Sequence, residues 1–241
     1  MGKIKKRGLI ITGTDTGAGK TFVAGGIAAA LSILGYRVGV MKPVETGCAG
    51  RAGRLIPADA LFLRKMADSS APPDLVNPYR FRAALAPLHA ARMEKRKIDP
   101  GKILDSLQML LSMNDFVIVE GAGGVAVPVT EELMMLGLFA RMDLPVMLVA
   151  GIRLGAINHA ILSEMPIRMA GLRYRALCLN HLRGTPEDVL SSSVHTLMKR
   201  SHAEEIFEIG TFRKKPGKIQ RETLAAFFIE SIGEKRLLGL I

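Results

Sequence analysis

The sequence predicts an α/β fold, a mostly parallel sheet with helices on both faces. Short apolar runs alternate with amphipathic stretches, which is the pattern of βαβ units. The run GLII passes through the glycine-rich GTDTGAGKT into the Ala-rich FVAGGIAAALSIL, as a strand, turn and helix would. The apolar runs also end beside Gly, Lys, Glu or Asn, where ligand groups gather in such sheets. With 241 residues, 49% of them apolar, and no internal repeat, the expectation is one domain over residues 1–241.

The first strand is expected at Leu9–Thr12, followed by a helix from Thr21 to Leu34 with Gly35 as its stop signal. A second strand follows at Val38–Met41 and a helix at Asp59–Met66. Five prolines in Ala71–Pro100 suggest a long connection without regular structure. Beyond it the pattern gives a helix at Ile103–Ser112, strands at Phe116–Val119 and Val146–Ala150, and a helix at Ile157–Met169. A strand at Ala176–Leu179 and helices at Pro186–Lys199 and Arg221–Ile232 complete the list, the last 40 residues being the least patterned. The 13 methionines read as adaptable core filling, and His89 and His159 as packing or capping residues.

Composition narrows the classes. No window approaches the roughly 18–20 apolar residues that span a bilayer, so a soluble chain with no membrane partner is expected. The start, MGKIKKRGLIITG, is too short in apolar residues for a secretory signal, and Lys6 stands where myristoylation wants Ser or Thr. Cys48 and Cys178 form no metal or disulfide pattern, which suits a reduced, cytoplasmic setting. The net charge of +11 is spread along the chain. Its dense clusters, Lys5-Lys6-Arg7 and Arg213-Lys214-Lys215, lack interleaved aromatics, so no nucleic-acid partner is expected.

GTDTGAGKT carries the chemistry. Backbone N–H groups of a Gly-rich turn make an anion cradle, and the helix that follows adds the positive end of its dipole. Lys20 would reach the β- and γ-phosphates and Thr21 would offer a hydroxyl to Mg²⁺. The loop is one residue longer than the common form, its first glycine being Gly13 where position 14 is usual. The fold is thus P-loop NTPase-like. Mg²⁺ needs hard oxygen donors. Glu120 ends the strand FVIVE before the turn GAGG, and Asp59 opens a helix, where it is either a metal ligand or an ordinary N-cap. Lys42, after the strand VGVM, reads as a second phosphate clamp.

Taken together, GTDTGAGKT, MKPVETG, the Asp59 of ADAL, NPYRF with PLHAA, VIVEGAGG and LGAINHA resemble the dethiobiotin synthetase family, over roughly residues 8–180. The resemblance implies an ATP- and Mg²⁺-dependent ligase acting on 7,8-diaminononanoate and CO₂. One amine captures CO₂ as a carbamate, ATP phosphorylates it to a mixed anhydride, and the second amine closes the ring with release of ADP and phosphate.

It also implies roles. Thr21, Asp59 and Glu120 would hold Mg²⁺; Lys20 and Lys42 would act on the γ-phosphate and carbamate. The nucleotide would lie along Gly17, Ala18, Gly19, Lys20, Thr21, Phe22, Glu120, Gly121, Ala122 and Gly123, with Asn180 at the base edge. Thr16, Thr46, Gly123 and Gly124 would touch the diamine. Gly151, Leu154, Gly155 and Asn158 of a partner subunit would receive the substrate carboxylate, the enzyme being a homodimer. Relatives commonly carry an Ile-Pro segment against the nucleobase; here EIGTF puts Gly210 in the proline place, which leaves the choice between ATP and CTP open. The alternative reading is a partition or septum-type deviant P-loop ATPase. Those place a lysine early in the loop, where this chain has Thr14 and Asp15.

Overall fold

The computed structural model describes residues 7–51, 54–212 and 219–241. The basic clusters at 5–6 and 213–215 lie outside the described residues. In chain order the elements are β1 (Gly8–Gly13), α1 (Lys20–Ile33), β2 (Val38–Met41), β3 (Val44–Glu45), β4 (Ala49–Arg51), β5 (Arg54–Ile56) and α2 (Ala58–Met66). Next come α3 (Pro73–Val76), β6 (Tyr79–Arg80), α4 (Pro87–Met93), α5 (Pro100–Met113), β7 (Phe116–Glu120), α6 (Met135–Met142), β8 (Val146–Ile152) and α7 (Ala156–Met169). The chain closes with β9 (Tyr174–His181), α8 (Glu187–Arg200), β10 (Glu205–Ile209), α9 (Arg221–Ile232) and α10 (Glu234–Leu238).

Among the described residues, six strands form one sheet in the order β10-β9-β8-β1-β7-β2, every neighbouring pair parallel. Every residue of β1, β2, β7 and β8 is buried. Since side chains alternate between the two sides of a strand, such runs require cover on both faces of the sheet. Two helical groups supply it: α1 packs with α2, α9 and α10, while α5 packs with α6 and α7 with α8. The chain leaves β1 for β2 on one side and later fills β8, β9 and β10 on the other, so the carboxyl end of β1 lies at a topological switch point, where ligands bind in open sheets.

Glycine shapes α1 at two places. Gly19, the N-cap, holds φ 94°, a left-handed turn that brings the loop back onto the helix end. A Cβ on Gly26 would stand 2.1 Å from the Phe228 ring, so this glycine is what lets α9 lie close against α1. Gly35, at φ 93°, ends the helix as its sequence position suggests.

The structure corrects several expectations. Residues 71–100 hold α3, β6 and α4; Pro73 and Pro87 sit in the first turns of the two helices, where a missing N–H costs nothing. Helix α5 starts at Pro100, capped by Asp99, whose carboxylate accepts from Gly101 N at 2.8 Å. Helix α6 and strand β10 were not expected. The first is only eight residues long; the second, EIFEI, carries two Glu in five residues and hides only Phe207 and Ile209. Met41, Met66, Met135, Met142 and Met147 do fill the core, but Met93, Met109, Met113, Met134, Met165, Met169 and Met198 are exposed. No helix among the described residues is long and apolar enough to cross a membrane.

Candidate active site

A cavity of about 760 Å³ opens at the carboxyl ends of β1, β2 and β7. Thr16, Gly17, Gly19, Lys20, Thr21 and Phe22 wall one side; Lys42, Thr46, Asp59, Glu120, Ala122 and Gly123 wall the rest. The loop after β1 is tied down by Thr14 N donating to Val149 O at 3.0 Å. Lys20, 7% exposed, folds its Nζ back onto the carbonyl of Asp15 at 2.9 Å. Burial holds its pKa below that of an ordinary lysine, and the nearby charge of Lys42 pushes the same way.

Glu120 is the centre of the charged group. It is fully buried, and its Oε1 accepts from Thr21 Oγ1 at 2.8 Å and Lys42 Nζ at 2.5 Å. The same Lys42 Nζ lies 3.0 Å from Asp59 Oδ2. Burial alone would lower the pKa of Lys42, but the charges of Glu120 and Asp59 outweigh it and raise the value. Lys42 is thus a fixed cation between two carboxylates. Glu120 Oε2 is buried with no hydrogen-bond partner among the described residues. An orphaned buried carboxylate oxygen beside a second carboxylate and a hydroxyl is a donor set that suits a hard cation such as Mg²⁺.

Asp59 does not cap α2; that part falls to Glu45, which the sequence reading did not single out. The N-cap position of α2 is Pro57, and the Glu45 carboxylate accepts from Asp59 N at 2.9 Å and Ala60 N at 3.0 Å. The cap comes from outside the helix, and the Asp59 side chain is left to face Lys42. Asn77 of NPYRF also escaped notice as a site residue; its Nδ2 donates to Lys42 O at 2.7 Å and so fixes the backbone from which Lys42 projects.

Not every residue implied by the resemblance meets in this cavity. Ala18 is buried, and its carbonyl accepts from Asn180 Nδ2 at 2.9 Å. Asn180, only 5% exposed, therefore has its amide engaged with the phosphate loop. Gly121 offers its carbonyl to Lys42 Nζ at 3.5 Å, and Gly124 lies against Gly13, where a Cβ would stand 3.2 Å from the Gly13 carbonyl. Gly151 packs on the loop itself, a Cβ there standing 2.9 Å from Ala18 Cα. Leu154, Gly155 and Asn158 line a different cavity of about 460 Å³, between α7 and α8. One contact crosses between the regions: Arg153 Nη2 donates to Asp15 Oδ2 at 2.7 Å. A backbone N–H from Thr16, with the Arg153 bond added, holds the Asp15 pKa below the usual carboxylate value.

Comparisons with known proteins bear on the family and the fold. A family profile described as an AAA domain matches residues 7–228. The ATP-dependent dethiobiotin synthetase BioD of Thermodesulfovibrio yellowstonii is 34% identical over 201 residues, covering 80% of this chain and 84% of that protein. The enzyme of the same name from Anaeromyxobacter sp. is 41% identical over 174 residues, covering 72% and 76%. Among solved structures, the signal recognition particle receptor FtsY from Elizabethkingia anophelis superposes with a TM-score of 0.53 at 17% identity, over 94% of this chain and 67% of that one. The MinC:MinD cell division complex of Aquifex aeolicus gives 0.50 at 14% identity, over 97% and 93%. At such identities the structural likeness speaks for the P-loop NTPase fold alone.

Proposed function

Because this chain belongs to the dethiobiotin synthetase family, an ATP-dependent ligase of biotin synthesis, we propose that it joins CO₂ to 7,8-diaminononanoate and closes the ureido ring. The observation that carries the reading is the connected group Thr21–Glu120–Lys42–Asp59, with Glu120 and Lys42 buried, beside the phosphate loop. ATP would lie with its γ-phosphate between Lys20 and Lys42, the loop amides and the start of α1 taking its charge. Thr21, Asp59 and Glu120 would hold Mg²⁺, which when bound neutralises phosphate charge. The orphaned Oε2 of Glu120 favours that assignment.

The chemistry follows from where charge develops. One amine of the substrate attacks CO₂ and gives a carbamate, whose oxygen then displaces ADP at the γ-phosphorus. Lys20 and Lys42 would stabilise the charge spread over the transferring phosphoryl oxygens. The second amine then attacks the activated carbonyl carbon, the C–O bond to phosphate breaks, and the five-membered ring closes. Thr16 and Thr46, both in the cavity lining, would orient the diamine.

The carboxylate end of the substrate points to a second copy of the chain. Leu162, Met165 and Met169 are exposed at helical spacing along α7, with Leu154 exposed before it. In a two-fold dimer built on this face, Gly155 and Asn158 of the partner subunit would meet the end of the substrate, and the N-terminus of α7 would take its negative charge.

ADP release, measured with ATP and bicarbonate and with or without 7,8-diaminononanoate, tests the reading. Release that requires the diamine is expected. Release indifferent to the diamine, or stimulated by DNA or lipid, would overturn it.

A further inference from the structure

Glu45 lies in the cavity wall, inside MKPVETG, yet the phosphate chemistry above gives it no part. Its carboxylate is nearly buried and both oxygens are used, one on Asp59 N and one on Ala60 N. These are first-turn N–H groups of α2, which have no partner inside their own helix. Pro57, at the N-cap, has no side-chain acceptor to offer them. The backbone of Glu45 is pinned in turn. Strand β3 pairs with β6, and Phe81 N donates to Glu45 O at 2.8 Å.

An Asp in the first turn of a helix commonly turns its carboxylate back onto the free N–H groups of that terminus. Here those groups are already taken, and Asp59 Oδ2 reaches Lys42 Nζ instead. We infer that Glu45 is a positioning residue: by capping α2 from a neighbouring strand, it keeps the Asp59 carboxylate free for Lys42 and for the cation that accompanies ATP. NPYRF gains a purpose as well, since its residues hold both partners of the Asp59–Lys42 pair, Phe81 through Glu45 and Asn77 through the Lys42 carbonyl. The inference rests on the ligase reading only in taking Asp59 to be a cation ligand.

A double-mutant cycle tests it, with ATP binding followed by calorimetry as Mg²⁺ is varied. Glu45→Gln keeps the shape but sets an amide donor against a backbone donor. It is expected to raise the Mg²⁺ concentration for half-maximal ATP binding about three- to tenfold, the scale of one ordinary hydrogen bond. In a chain already carrying Asp59→Asn, adding Glu45→Gln is expected to move that concentration no further, because Glu45 acts through Asp59. A purely structural cap would lower the melting temperature and leave the Mg²⁺ dependence in place.

An unchanged Mg²⁺ requirement in a folded Glu45→Gln protein would overturn the inference. So would a full additional factor on top of Asp59→Asn. If Glu45→Gln does not fold, Glu45→Asp, which keeps the charge but shortens its reach, faces the same two outcomes. Diamine-dependent ADP release by the unaltered protein is run alongside. Its absence would overturn the ligase reading, whereas the binding cycle judges Glu45 independently.

Discussion

Lys42→Met asks whether the buried cation holds the site together before any ligand arrives. The side chain of Lys42 is 6% exposed and that of Glu120 is 1% exposed, and the two meet at 2.5 Å. Removing one partner of such a pair leaves the other charge buried and uncompensated, a loss of about 3–5 kcal/mol. Asp59, 42% exposed at its side chain, is screened by water and adds only about 0–1 kcal/mol. A chain of this size loses about 2–4 °C of melting temperature per kcal/mol, so the expected fall is roughly 6–24 °C in a chelating buffer. Added Mg²⁺ is expected to raise the melting temperature of Lys42→Met more than that of the unaltered protein, since Glu120 and Asp59 have then lost the cation they both contact. The assay is thermal unfolding followed by circular dichroism, with and without Mg²⁺. A variant within about 1 kcal/mol of the unaltered protein in chelator would refute the stability reasoning. Equal Mg²⁺ stabilisation of both proteins would refute the cation assignment.

Lys20→Ala is expected to cut turnover by roughly 10²–10³ in a steady-state ADP assay, and a variant within threefold would remove Lys20 from the chemistry. Because burial and then Lys42 depress the Lys20 pKa, and an incoming phosphate favours its charged form, ATP binding is expected to take up protons at alkaline pH. Affinity is then flat below the free-state pKa and falls by up to about tenfold per pH unit above it; calorimetry in two buffers of different ionisation enthalpy checks this, and proton release would contradict it. Mixing dimers of Lys20→Ala with dimers of Asn158→Trp, each nearly inactive alone, should restore at most about one quarter of full activity after random subunit exchange, and complete exchange with no recovery would remove the shared site. No saturable DNA complex is expected at physiological ionic strength, by fluorescence anisotropy; a submicromolar complex whose affinity falls steeply with salt would revive the partition-ATPase reading.

What was legible in the sequence is what is local along the chain. β1, the Gly-rich loop and α1 are contiguous, so strand, turn and helix signals reinforce one another, and the α1 helix was placed within a residue or so at each end. Glu120 was legible because it closes an apolar strand before a glycine turn. The cap on α2 was not, because its acceptor sits 14 residues away in the chain and on another element. An Asp near a helix start, judged alone, looks like a cap. Asn180 shows the same limit from the other side: the end of a strand is a sound place for a ligand-reading amide, but its partner among the described residues, Ala18 O, lies 162 positions away. β6 and α4 were hidden by the prolines that in fact start or flank them.

In the proposed reaction the same four side chains, Lys20, Lys42, Asp59 and Glu120, would serve both stability and chemistry. Two lysines lining one cavity repel, and the depressed pKa of Lys20 records part of that repulsion. Two carboxylates in the same cavity would repel as well. Interleaved, with Lys42 between Glu120 and Asp59, the group is nearly neutral and tolerates burial. A nucleotide phosphate entering this group does not strip any charge of its partner. In the proposed reaction Lys42 would pass from carboxylate to phosphate, while Glu120 and Asp59 would pass from lysine to the cation that accompanies the nucleotide. Lys20 likewise needs only to leave the Asp15 carbonyl, a neutral acceptor, for a charged one. Each step exchanges one partner for another at short range, so the side chains can move while the backbone that carries them stays fixed by Asn77, Glu45 and Asn180. Rigidity in those three and exchange in the four they support is the division of labour that a site stabilising a phosphoryl-transfer transition state requires.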